Sequence, residues 1–239
     1  MQSIKNISII GQGNVATHYF DIMKKKGFQV EMVSAREPFL ISGFIPDLII
    51  IAVRDEAIKE VSDKIGRVPC IIVHTSGTIE TDFLKNNSNS YGSFYPLQTL
   101  KKGVAVDFSQ IPLCTWANNE MAAKHLKTLA LSLSRHHYEL TDKQRKTLHI
   151  AAVFANNFTN HLFGIAKNIL DKENIPFDIV FPLMEQTLKN AEQTNPFCVQ
   201  TGPAQREDYA VMQEHLLNLS TEEQEIYKAI SKNIIKHKQ

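Results

Sequence analysis

Short apolar runs and amphipathic stretches alternate along the first 140 residues. "ISII" (7–10) precedes a helix-patterned stretch over 14–26, and "FQVEMV" (28–33) follows it. "DLIIIAV" (47–53) leads into a helix-patterned 55–65, and "CIIVHT" (70–75) comes next. The runs at 48–53 and 70–73 are apolar at consecutive positions, as expected of strands buried on both faces of a parallel sheet. Strand–helix alternation with short connections predicts βαβ units and a doubly wound α/β sheet. "IPLCTWA" (111–117) and "HHYEL" (136–140), with a helical 118–134 between them, predict a last pair of strands.

After Thr141 the strand pattern stops. The chain from 142 to about 170 predicts one long helix with apolar residues at helical spacing, and three more helices are expected at 177–193, 207–218 and 221–236. Thr141 or Asp142 can cap the first of these, and Ser220 with Glu223 forms a capping box for the last. Two domains are therefore expected, a doubly wound α/β one over 1–140 and an all-helical one over 141–239. No repeat and no Pro/Gly-rich linker separates them, so the boundary predicts a tight hinge.

Composition narrows the function classes. Among 239 residues, 26 Lys and Arg balance 25 Asp and Glu, for a net charge of +1. That balance argues against nucleic acid or an anionic membrane as the partner. Cys70, Cys114 and Cys198 are far apart and odd in number, which speaks against a disulfide framework or a cysteine-rich metal site and fits a reducing cytosol. The residues after Met1 do not follow a signal-peptide pattern, and no apolar run reaches the ~20 residues of a membrane span. A soluble, cytoplasmic protein that binds a small molecule is expected.

The first strand runs into Gly11-x-Gly13-x-x-Ala16, a form of the dinucleotide fingerprint. The first glycine permits the tight turn, the second lets backbone approach a pyrophosphate, and the small third residue lets helix and strand pack closely. The helix starting near Asn14 and Val15 offers free N–H groups and a positive dipole end to phosphates. The competing reading is a glycine-rich turn without a ligand. Strand ends at Ala52, Val53 and Arg54 and at Thr75, Ser76 and Gly77 fall where a doubly wound sheet carries ribose and nicotinamide. His74 beside them is expected to be structural.

NAD-selective folds place an acid at the end of the second strand. Here Glu31, ~20 residues after Gly11, lies mid-strand, and the strand ends on Ser34, Ala35 and Arg36. A hydroxyl and a planar guanidinium suit a 2′-phosphate, so NADP is the expected cofactor. The alternative is that Arg36 is only a surface charge. On the long helix, His149, Asn156 and Asn160 fall within roughly 20° of one another at 3.6 residues per turn, with Asn157 to one side. His149 as proton donor, with Asn156 and Asn157 holding a carbonyl or imine, is the catalytic expectation; mutual satisfaction at a helix contact is the alternative. "TGPAQRED" (201–208) adds Arg206 and Asp208, either a carboxylate site or a loop brace.

The motifs "IAVRDEAI", "VHTSGT", "GSFYPLQT", "LHIAAVFANNFTNHL" and "TGPAQRED", in this order, resemble the Rossmann-like proteins with a DUF2520 C-terminal domain. These belong with the NADP- and coenzyme-F420-linked oxidoreductases, near pyrroline-5-carboxylate reductase, ketopantoate reductase and 6-phosphogluconate dehydrogenase. The resemblance implies a Rossmann domain, then a helical domain of the 6-phosphogluconate dehydrogenase C-terminal kind that commonly mediates dimers. It implies no particular substrate. Related dehydrogenases often use a helix-borne Lys with an Asn; here His149 stands where that Lys is sought. Tyr95 replaces the usual His before Pro96, which counts against a catalytic role there. The function expected is hydride transfer between NADP(H) and a small carbonyl or imine by a homodimer; the alternative is a non-catalytic NADP(H)-binding regulator or scaffold.

Overall fold

Two faces of one sheet account for the consecutive apolar runs. In the computed structural model, which describes residues 4–36 and 44–238, β1 (Asn6–Ile10), β2 (Gln29–Val33), β3 (Leu48–Ile51), β4 (Ile71–His74), β5 (Tyr91–Pro96), β6 (Leu113–Ala117) and β7 (His137–Glu139) form one seven-stranded sheet. The strand order is β2-β1-β3-β4-β5-β6-β7, parallel except for the antiparallel β5–β6 pair. Ile7, Ile9, Leu48, Ile50, Ile71 and Val73 face one cluster, packed with Ala16, Tyr19 and Leu126. Ile10, Ile49, Ile51 and Ile72 face the other, packed with Ile58 and Val61. Helices α1 (Asn14–Lys25) and α3 (Glu120–Leu133) therefore cover the first face, and α2 (Asp55–Ile65) covers the second. Alternate residues of every central strand are buried on opposite sides, which is why no polar period shows in the sequence.

β5 is a strand that the hydropathy pattern does not predict. Its sequence, YGSFYP, combines Gly and Pro, both poor strand formers. Gly92 is required by close approach: a Cβ there would lie 1.8 Å from the Trp116 carbonyl oxygen on β6.

The predicted long helix is interrupted. α4 (Asp142–Ala152) passes into a π-helical turn at Val153–Phe158 and continues as α5 (Thr159–Lys172). Through that turn the hydrogen bonds run to i+5, so the 100° step that aligned His149 with Asn156 and Asn160 does not hold. The chain forms two compact units, 1–155 and 156–239. The first thus includes α4 as well as the sheet, beyond the change of texture at 140. The reason is polar anchoring. Asp142 accepts from the Thr81 backbone N–H at 2.7 Å, and Arg145 donates to Ser93 Oγ at 2.8 Å. Thr141 caps α4 through a capping box with Gln144.

The second unit holds α5, α6 (Phe181–Gln193), α7 (Pro203–Arg206), α8 (Tyr209–Leu217) and α9 (Thr221–Lys236). Ser220 and Glu223 form the expected capping box of α9. Asp208 caps α8 by accepting from the Val211 N–H at 3.2 Å, and Arg206 is exposed. No helix among the described residues is long and apolar enough to cross a membrane.

The β1–α1 turn separates its two glycines by function. Gly11 has φ +129°, and a Cβ there would lie 2.2 Å from the Ala52 carbonyl oxygen. Gly13 is the N-cap of α1 with φ −79°, and its Cβ would meet nothing within 4 Å. Gly11→Ala should cost more than about 2 kcal/mol through clash and strain. Gly13→Ser should leave stability level or raise it by a few tenths of a kcal/mol, since serine caps helices better than glycine. Urea unfolding of both variants checks this: equal losses would mean that Gly13 too is there for the fold.

Candidate functional site

The sheet reverses direction of winding between β2-β1 and β1-β3, so the carboxyl ends of β1 and β3 bound a crevice where such sheets bind ligands. Three backbone bonds carry the ladder to these ends: Gly11 N–H to Val33 O at 2.9 Å, Ala52 N–H to Ile10 O at 2.8 Å, and Thr75 N–H to Ile51 O at 3.1 Å. A cleft of about 1020 Å³ lies there, at the upper end of the usual ~300–1,000 Å³ for small-molecule sites. It is lined by Gly11, Gly13, Asn14 and Val15 from the β1–α1 turn, and by Ser34, Ala35 and Arg36 after β2. Ala52, Val53 and Arg54 after β3 and Thr75 after β4 complete that expected set.

Three residues expected at the cofactor do other work. Ala16 is fully buried in the core behind the turn, where its small side chain allows α1 to approach the sheet. Ser76 braces the chain after β4, its Oγ accepting from the Thr78 and Ile79 N–H groups at 3.0 Å each. Gly77 faces His149: a Cβ on it would lie 2.6 Å from His149 Nδ1. Conversely, Gln12, Glu56, Ala57, Glu60, Val61 and Lys64 also line the cleft. Glu56, Glu60 and Lys64 recur at four-residue spacing on α2, a signal legible once α2 is placed after a ligand-bearing strand end.

The cleft has the features of a phosphate site at its centre. No side chain caps the α1 N-terminus and no acid stands in its first turn, so its first N–H groups and its positive dipole end face the cleft. A bare glycine stands at the cap, where a larger residue would project into the space. These residues fit a dinucleotide pyrophosphate. After β2, Ser34 Oγ accepts from the Arg36 N–H at 3.3 Å, and the Arg36 side chain is exposed. Glu31 takes no part: Ser8 Oγ donates to its carboxylate across the β1–β2 pair at 2.5 Å. Lys64 is paired with Glu60 at 2.6 Å.

A second group of residues gathers where β4 and β5 end. Tyr95 Oη and His149 Nδ1 lie 3.1 Å apart, with the rings edge to face at 6.1 Å. Burial, with Cys114 adding to it, pushes the Tyr95 phenol up to about 12, so it is held protonated. Beneath them Arg145 is fully buried, donating to Ser93 Oγ, to Asp142 Oδ1 at 2.7 Å and to the Ile79 carbonyl. Burial raises the Asp142 carboxyl, but the Thr81 and Arg145 hydrogen bonds outweigh it and leave Asp142 below its usual range. His74 is structural, as expected. It is buried, stacks on Phe83 at 6.0 Å and accepts from the Ser76 N–H at 3.2 Å. Burial, then Arg145, lowers it to about 3, so it stays neutral. Asn156 and Asn157 lie in the π-helical turn, both exposed, in the second unit. No group of three or more metal-ligating side chains occurs among the described residues.

Known proteins share this architecture. The provisionally assigned NADP oxidoreductase of Bacteroides fragilis is 33% identical over 98% of both chains, with a TM-score of 0.88. The reductive aminase of Aspergillus terreus, solved with NADPH4, cyclohexanone and allyl amine, is 11% identical over 98% of this chain and 94% of its own, with a TM-score of 0.71. The imine reductase of Myxococcus stipitatus, solved with NADP+, is 14% identical over 97% and 92%, with a TM-score of 0.59. No curated protein matches the chain in sequence. Residues 111–234 match the family described as Domain of unknown function (DUF2520), and the chain belongs to that family.

Proposed function

We propose that this chain is an NADP-dependent oxidoreductase that moves a hydride between NADP(H) and a small carbonyl or imine compound. The observation that carries the reading is Gly13: a glycine that the fold does not require, at an uncapped helix start facing a cleft of about 1020 Å³. The names of the Bacteroides, Aspergillus and Myxococcus relatives support it. In this reading the α1 N-terminus holds the pyrophosphate, Ser34 and Arg36 hold the 2′-phosphate, and Thr75 lies on the side of the nicotinamide. The bound NADPH supplies the hydride. His149 is the protein's source of the proton.

The cofactor half is tested by fluorescence titration of both reduced nucleotides. NADPH should bind more tightly than NADH, and Arg36→Ala should remove most of the difference. One charge-assisted contact is worth ~1.5–3 kcal/mol, on the order of ten- to a hundredfold in affinity. Equal affinities in the unmutated protein would reject the assignment of Arg36.

We further propose that the protein is a homodimer through its helical unit. Leu183, Leu188 and Leu217 are 69%, 63% and 86% exposed, and Phe181 and Ile179 are exposed with them. α5 and α9 also border an apolar cavity of about 500 Å³ lined by Leu162, Ile169, Ile226 and Ile234. Each large apolar side chain left in water forgoes ~1.5–3 kcal/mol of burial, and patches of this kind mark association surfaces. Light scattering at micromolar concentration should return twice the mass of the 239-residue chain; a monomer would contradict the proposal.

A further inference from the structure

We propose that Tyr95 is the group that hands the proton to the substrate, and that His149 recharges it. This rests on the reading of the chain as an NADPH-dependent reductase and names the donor within that site.

The geometry begins with register. Ser93 and Tyr95 are two apart on β5 and share a face, about 6.6 Å apart along the strand. Arg145 and His149 are four apart on α4, about 6.0 Å along its axis. The two spacings match, so one helix can seat Arg145 on Ser93 and His149 on Tyr95 at once, and both contacts are made, at 2.8 and 3.1 Å. Gly77 leaves the notch for the imidazole. The pair is thus held from three sides: by α4, by β5 and by the end of β4.

The chemistry follows from what faces the pair. Asp55 at the start of α2, Cys114 on β6, Arg145 on α4 and Tyr19 on α1 are charged or titratable groups that act on Tyr95 or feel its charge, and Arg145, Asp142 and Asp55 also act on His74 of β4, which is neutral. Burial keeps the phenol protonated near neutral pH. It is still a far stronger acid than the alcohol or amine that reduction produces. As hydride adds to the C=O or C=N carbon, the π pair moves to the heteroatom. The Tyr95 O–H bond breaks toward that atom, and the Nδ1–H bond of the His149 imidazolium breaks toward the phenolate oxygen. His149 is left neutral with its proton on Nε2, and the re-formed Tyr95 O–H donates to Nδ1 until His149 takes its next proton from solvent. Net consumption is one hydride and one proton.

Two measurements test it. The ¹⁵N spectrum of the NADPH-bound protein, with neutral imidazole, should show His149 as the Nε2–H tautomer with Nδ1 accepting, and Tyr95→Phe should abolish that signature. Turnover of Δ¹-pyrroline and cyclohexanone with NADPH is the second. Tyr95→Phe should lower kcat by ~10² to 10⁴ with NADPH affinity unchanged. His149→Gln should lower it less and flatten its pH profile, and the double variant should match Tyr95→Phe alone. A Tyr95→Phe enzyme within twofold of the unmutated kcat, multiplicative losses in the double variant, or a Nδ1–H tautomer overturns the relay while leaving the reductase reading intact. NADPH binding with no turnover of either probe by the unmutated protein overturns the reductase reading, and the relay falls with it.

Discussion

A guanidinium with no exposed surface has to be held by partners, and Arg145 is held by three. Ser93, Asp142 and the Ile79 carbonyl lie on β5, on α4 itself and on the chain after β4. Taking an ion out of water costs several kcal/mol, and only good geometry offsets it. Each partner therefore constrains the helix. Asp142 brings in Thr81, Lys146 reaches Glu80 at 2.7 Å, and α4 is fixed in rotation and in register against the sheet. His149, one turn along, has its place determined by an ion that it does not touch. This explains why α4 belongs with the sheet unit although its sequence reads as the first turns of the helical half.

The cleft is built from backbone at strand ends: Gly11 by necessity of contact with Ala52, Gly13 by the absence of any such necessity. Backbone N–H groups and a helix dipole suit a pyrophosphate whatever the substrate is. The Tyr95–His149 pair is made instead of side chains, a phenol and an imidazole, seated through Arg145 on the same helix. A fold can keep the first and exchange the second, which is how one architecture serves different reactions.

What the sequence made legible follows the same division. Consecutive apolar runs located β1, β3 and β4, because burial on both faces leaves no polar residue to confuse the pattern. The fingerprint glycines and the strand-end residues Ser34, Arg36, Ala52 and Thr75 could be placed because they depend on local chain geometry. β5 escaped, since its Gly92, Ser93 and Pro96 serve the neighbouring β6 and α4 rather than strand propensity. Tyr95 is visible in the sequence only as a departure that counts against catalysis; its hydrogen bond to His149 spans 54 residues, which no local pattern encodes. Alignment of His149, Asn156 and Asn160 on one face needs an unbroken α-helix, and the π-helical turn at Val153–Phe158 removes that premise.

The proposed reaction requires the backbone cleft and the side-chain pair to meet at the nicotinamide end of the nucleotide. Nuclear Overhauser contacts from the C4 hydrogens of bound NADPH report its position directly. Contacts to Thr75 and to the ring of Tyr95 or His149 are expected. Contacts instead to Arg36 or Ser34, at the opposite edge, would mean that the nucleotide lies the other way round and that the Tyr95–His149 pair has no part in the chemistry.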